Sequence, residues 1–172
     1  APIVPGSEVK WQVANASIPG DTTGKVLARF QNDLVNAHPD GDIVIIGLSL
    51  ANEGLVGAND AAAQSVYESF RSGMAEIISR CRQNGYYPVI GLVYPNGNYT
   101  ASQYGFVKRM NLLLNSWNVP SFNFLGGPDN GSGKWAPGHE TDPYHPNNAG
   151  HGEMYYTIVP SLFDAIAAGK TA

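Results

Sequence analysis

The sequence predicts an α/β fold: a three-layer α/β/α sandwich around a central parallel sheet. Three observations carry this. Residues 42–48 and 87–93 are continuous apolar runs with β-branched side chains, the pattern of strands buried on both faces. Three longer segments, 23–36, 60–84 and 101–117, repeat apolar residues at helical spacing. Strand and helix alternate along the chain, which puts helices on both sides of a parallel sheet.

Each element has its own signal. Residues 1–10 are broken by Pro2, Pro5 and Gly6 and hold at most a brief strand at Ile3-Val4. Residues 11–14 read as a strand, and 15–23 as a loop turning at Pro19-Gly20-Asp21, with Asp21 or Thr22 as helix cap. Val26, Leu27, Phe30, Leu34 and Val35 make one face of the first helix, which Pro39-Asp40-Gly41 ends. After the strand at 42–48 and a polar loop at 49–59, Val66, Phe70, Met74, Ile77 and Ile78 face inward from the second helix, closed by Gly85. Tyr104, Val107, Met110, Leu113 and Leu114 do the same in the third. A strand at 119–124, a Gly- and Pro-rich loop at 125–144 and a closing helix at 147–168 complete the chain. Loops as long as 125–144 are usually functional. Ligands of such sheets sit at the carboxyl ends of the strands, where the loops 15–22, 49–59 and 94–99 emerge.

The 172 residues suit one domain, with no repeat or linker. A net charge of −4 and the lack of basic clusters argue against nucleic acid and against an anionic membrane surface as partners. No apolar run is long enough to span a bilayer. Cys81 is the one cysteine, read as a structural thiol on a helix, so no intrachain disulfide forms. No classical signal peptide is present. Low charge and the sequons at Asn15, Asn98 and Asn130 lean towards a secreted or extracytoplasmic protein.

The stretch with the most chemistry is Asp142-Pro143-Tyr144-His145-Pro146-Asn147. A carboxylate three residues ahead of an imidazole, on a turn stiffened by two prolines, can accept one ring N–H. That fixes the tautomer and leaves the other nitrogen as a base. The plainer alternative is a loop histidine beside a helix start, with Asp142 serving the local turn. Gly20, after a strand and at a helix start, offers a backbone N–H to a developing negative charge; a simple strand-to-helix turn explains it equally. Asn52, just past the central strand, could donate a side-chain N–H into the same space or merely sit in the turn before Gly54, and Glu53 beside it reads as solvated or a local acceptor. Trp135, Tyr144, Tyr94 and Tyr99 are candidates for an aromatic rim or for packing. His38 reads as a helix C-terminal residue. His139, His145 and His151 match no usual zinc spacing.

The Gly20 loop, the Asn52 loop and Asp142-x-x-His145 occur in the order and on the elements expected of the SGNH hydrolases, also called GDSL esterases and lipases. Residues 11–168 resemble that family, whose topology is flavodoxin-like. The resemblance implies an oxyanion hole built by Gly20 and Asn52, with Asp142 and His145 as acid and base. It implies no metal or organic cofactor. The third block is Leu50-Ala51-Asn52-Glu53 rather than the usual Gly-x-Asn-Asp, and the donor Asn52 survives.

The Gly-Asp-Ser block that carries the family's nucleophile is absent, and the first strand and helix are shortened or missing. Ser7 is the nearest substitute; Ser17 and Ser49 stand where the family keeps no nucleophile. Three explanations stay open: Ser7 acts on a shortened first block, the block lies on a missing N-terminal segment or neighbouring domain, or the pocket binds without catalysing. The resemblance implies a serine ester hydrolase and does not fix the substrate; acetylated carbohydrate or short-chain esters are expected, with a small-molecule or carbohydrate ester as partner. The alternative is a catalytically impaired module that binds an acylated sugar. A flavodoxin-like phosphate binder is a third reading, without a glycine-rich fingerprint to support it.

Overall fold

The computed structural model describes residues 11–169. Ser7 and the brief strand expected at Ile3-Val4 lie outside the described residues.

Helix α1 spans Thr23–Phe30 and runs on through a wider π-helical stretch, Gln31–Asn36. Thr22 caps it, its hydroxyl accepting the Lys25 N–H. Strand β1, Ile43–Gly47, leads to α2, Asp60–Gln83, which Asn59 caps through the Ala62 N–H. Strand β2, Tyr87–Gly91, precedes α3, Ala101–Asn115, which opens with a capping box between Thr100 and Gln103. Then come β3 at Ser121–Phe122, β4 at Glu140–Asp142, β5 at His145–Pro146, α4 at Asn148–Tyr156 and α5 at Pro160–Ala167.

The first three strands form a parallel sheet in the order β1-β2-β3, with Ile43 opposite Tyr87 and Gly91 opposite Phe122. Side chains along a strand alternate between faces, so β2 sends Val89 one way and Ile90 the other. Ile90 joins the larger core, where Phe30, Phe70, Met74, Val107 and Met110 pack from α1, α2 and α3. Val89 joins Phe122 and Phe163 beneath α5. Helices therefore cover both faces, and the three-layer α/β/α sandwich expected from the alternation is the fold.

Four details differ from the sequence expectation. Residues 11–14 form no strand; Trp11 packs its ring on Phe163 with centroids 5.9 Å apart, and Val13 is exposed. The run at 42–48 reads as buried on both faces, yet Ile45 is 49% exposed. β1 lies at the edge of the described sheet; Ile43 packs against the Val89, Phe122 and Phe163 cluster, which does not include Ile45. The long loop contains a short antiparallel ribbon, β4–β5, which pairs Asp142 with His145. The closing helix is two helices, because Pro160 has no N–H to continue the ladder and its ring excludes the preceding turn; it starts α5 instead.

Candidate active site

The β4–β5 ribbon sets the geometry of the acid–base pair. His145 Nδ1 lies 3.0 Å from Asp142 Oδ1 and 2.9 Å from Oδ2. Oδ1 also accepts the backbone N–H groups of Tyr144 at 2.7 Å and His145 at 3.0 Å. Asp142 is therefore both the turn acceptor and the partner of the imidazole. The bond from the His145 ring, and next that from the Tyr144 N–H, hold the Asp142 carboxyl below the usual carboxylate value. With Nδ1 engaged, Nε2 is left as the proton acceptor. It bonds nothing among the described residues, and the ring is 72% exposed.

The ribbon is fastened through the residue between the pair. The Pro143 carbonyl accepts the Gly97 N–H at 2.6 Å and the Trp135 indole N–H at 3.1 Å. Trp135 is buried and stacks on Tyr94, with centroids 6.3 Å apart at 26°. On the far side Asn147 caps α4 by accepting the Ala149 and Gly150 N–H groups, and its own amide donates to the Gly138 carbonyl at 2.8 Å. Asp129 ties the base of the long loop to α3 by accepting the Tyr104 hydroxyl, and to Gly133 by accepting its N–H.

The segments of the two oxyanion candidates are tied by another route. Gly20 has φ +76°, a conformation that favours glycine, and its side of the turn is open. Its carbonyl accepts Lys25 Nζ at 3.2 Å, while its N–H bonds nothing among the described residues. The next residue, Asp21, is buried and accepts Arg29 Nε at 2.9 Å and Nη2 at 2.6 Å. Asn52 sits exposed in the turn after β1, its side chain without a partner among the described residues. Glu53 accepts the Thr23 N–H at 2.9 Å and the Thr23 hydroxyl at 2.7 Å, which joins the Asn52 turn to the helix that follows Gly20.

Ser49, in the loop after β1, is buried, and its hydroxyl accepts the Ala51 N–H at 3.0 Å. Burial raises the Tyr94 and Tyr99 phenols, with the Ser49 hydroxyl acting against the rise. The Glu53 carboxylate thus ties the Asn52 turn to the start of α1, and the Gly97 N–H ties the Asp142–His145 ribbon to the turn after β2.

The same contacts sort the remaining candidates. Ser49 is buried, with its hydroxyl on the Ala51 N–H. Ser17 lies in the exposed loop, its N–H donating to Asn15. Of the aromatic rim only Tyr144 is open, at 52%; Trp135 and Tyr99 are buried and Tyr94 is covered by Trp135. Cys81 is buried, which pushes its thiol up to about 11. The His38 carbonyl accepts the Tyr86 hydroxyl. No group of metal-ligating side chains forms among the described residues. Sequence reasoning missed Glu53 as a long-range tie and Pro143 as an anchor. Neither carries a motif signal, because both act through partners distant in sequence.

A carboxylate-held imidazole on a ribbon tied to the turn after β2 suits a hydrolase of ester substrates. The chain belongs to the GDSL-like Lipase/Acylhydrolase family, whose model matches residues 6–152. Among solved structures it is similar to a GDSL-like lipase from Bacteroides thetaiotaomicron, with TM-score 0.66, 16% identity, and 85% of this chain and 73% of that one covered. It is also similar to an α/β hydrolase from the Lake Arreo metagenome, with TM-score 0.59, 19% identity, and 89% and 70% covered. At such identities these two likenesses bear on the fold. No curated protein matches the sequence.

Proposed function

We propose that the protein is a serine ester hydrolase working through an acyl-enzyme, with acetylated carbohydrate or short-chain esters as substrates. The observation that carries this reading is the His145 ring, held at Nδ1 by both oxygens of Asp142 with Nε2 open. A serine hydroxyl attacks the ester carbonyl carbon and gives its proton to Nε2. The carbonyl electron pair moves onto oxygen, where the Gly20 N–H and the Asn52 amide receive it. Collapse of the tetrahedral intermediate expels the alcohol, which takes the proton from His145. Water then attacks the acyl-enzyme with His145 again as base, which releases the carboxylic acid and restores the serine.

Ser7 is the proposed nucleophile, inside the residues that the family model matches. Exposed sequon residues Asn15, Asn98 and Asn130 suit a secreted or extracytoplasmic location. Among the described residues no helix is long and apolar enough to cross a membrane.

The lack of a Gly-Asp-Ser block favours one second reading, a catalytically impaired module that holds an acylated sugar or ester in the same place. A fluorophosphonate probe separates the two. A stoichiometric adduct on Ser7 by peptide mapping is expected from the hydrolase. An adduct on Ser17 or Ser49 overturns the nucleophile, and no adduct on a folded sample leaves the binding module.

A further inference from the structure

We propose that Glu53 is a positioning residue that sets the spacing of the oxyanion donors, holding the Asn52 turn in register with the Gly20 turn through Thr23. The proposal rests on the ester-hydrolase reading for its catalytic consequence and on the geometry alone for the positioning.

Thr23 is the first residue of α1, and its N–H is one of the donors that a helix start leaves without a partner. Thr22 meets the Lys25 N–H rather than this one. Thr23 is only 2% exposed, so solvent does not substitute. The Glu53 carboxylate fills the need with both oxygens, Oε2 on the N–H and Oε1 on the hydroxyl, and Oε1 also accepts the Ser69 hydroxyl of α2 at 3.2 Å. A negative charge at a helix start is favourable in itself. Thr23 cannot drift to follow a displaced loop. Gly73 of α2 sits against it so closely that a Cβ there would lie 2.2 Å from Oγ1.

The Asn52 end is equally constrained. The Glu53 N–H donates to the Ser49 carbonyl at 3.2 Å and the Leu55 N–H to the Leu50 carbonyl at 3.0 Å, with Leu50 and Leu55 buried on either side. Asn52 is the exposed apex of this turn, held by buried Ser49 before it and by the Glu53 carboxylate after it. Gly20 lies three residues ahead of the threonine that the same carboxylate grips. One side chain thus couples the two donors. A misplacement of about 1 Å in such a site can cost roughly 100-fold in rate.

The test compares Glu53→Gln and Glu53→Ala, each alone and combined with Asn52→Ala, by steady-state hydrolysis of p-nitrophenyl acetate and by amide hydrogen exchange. Glu53→Gln keeps the shape and one acceptor, and remains readable where the alanine variant folds poorly. The expected result is a fall in kcat of about tenfold or more with KM unchanged. That fall shrinks to less than about twofold in the Asn52→Ala background, because the residue acts through Asn52. A merely structural role predicts the same factor in both backgrounds and overturns the proposal. Exchange at Thr23 and across 50–54 is expected to rise at least about tenfold while α3 is unchanged. Unchanged exchange in both variants overturns the positioning even if the wild-type chain hydrolyses no ester, whereas raised exchange with an inactive wild type refutes the ester reading alone.

Discussion

The Asp142–His145 ribbon and the turns that carry Gly20 and Asn52 are held by different chemistry. The ribbon hangs on a backbone carbonyl, that of Pro143, which takes two neutral N–H groups from Gly97 and Trp135. The two turns hang on carboxylates, Glu53 on Thr23 and Asp21 on Arg29. Neutral bonds tolerate changes of salt, and the Gly97 bond is independent of any side chain. Carboxylate ties shielded from water are stronger individually and fail when one side chain is replaced. The proposed base therefore rides on a robust support and the proposed oxyanion donors on a fragile one.

The largest expected effects come from the reacting groups. His145→Ala should lower kcat/KM for p-nitrophenyl acetate by roughly 100- to 10,000-fold, as for loss of a general base. Asn52→Ala should lower kcat by roughly 100- to 1,000-fold, as for loss of one oxyanion donor. If Asn52→Ala were silent while His145→Ala was not, the oxyanion half of the comparison would be wrong.

Next is Gly73→Ala, which drives a methyl into Thr23. Overpacking of this kind costs about 1–3 kcal/mol, measurable as a lower midpoint in urea. Because Thr23 is the Glu53 anchor, kcat should fall with stability. A stability loss with unchanged kcat would show that the turns do not depend on this seat.

Trp135→Phe removes the indole donor while keeping an apolar ring against Tyr94. Pro143 retains the Gly97 bond, so the expected cost is about 1 kcal/mol of stability with little change in kcat. A large kcat loss would mean that the ribbon is as fragile as the oxyanion side.

The smallest effect is in acid. The hydrogen bonds from the His145 ring and the Tyr144 N–H hold the folded Asp142 carboxyl below the usual carboxylate value, so its contribution to stability is complete above the unfolded value. It is lost as pH falls through the lowered folded value. The stability difference between the wild type and Asp142→Asn should stay constant from neutrality to about pH 5 and close at lower pH, since the unfolded carboxyl titrates near 3.9. Urea unfolding across that range checks it, and closure well above pH 5 would contradict the Asp142–His145 geometry.

Much of this was legible in the sequence because it is local. Helical periodicity at 60–84 and 101–117, the β-branched runs at 42–48 and 87–93, and the cap at Thr22 depend on neighbours a few residues away. So does the Asp142–His145 pair, three residues apart on one turn. Errors arose where a local preference needed a distant partner. Residues 11–14 have strand-forming side chains but no neighbouring strand among the described residues. Ile45 belongs to an apolar run yet is exposed on the edge strand of the described sheet. Pro160 is the exception: its break in the closing helix follows from its missing N–H and was readable in advance.

By itself the sequence determined the layered α/β order and the identity of the acid–base and oxyanion candidates, since periodicity and short motifs are properties of adjacent residues. Tertiary structure alone decided what holds the segments that carry them. Glu53 and Thr23 are 30 positions apart and meet because α1 packs on α2 beside the turn after β1. Gly97 and Pro143 meet because a ribbon folds back on the turn after β2. A hydrogen bond between distant positions leaves no periodic trace, because its partners are chosen by packing of the elements that carry them.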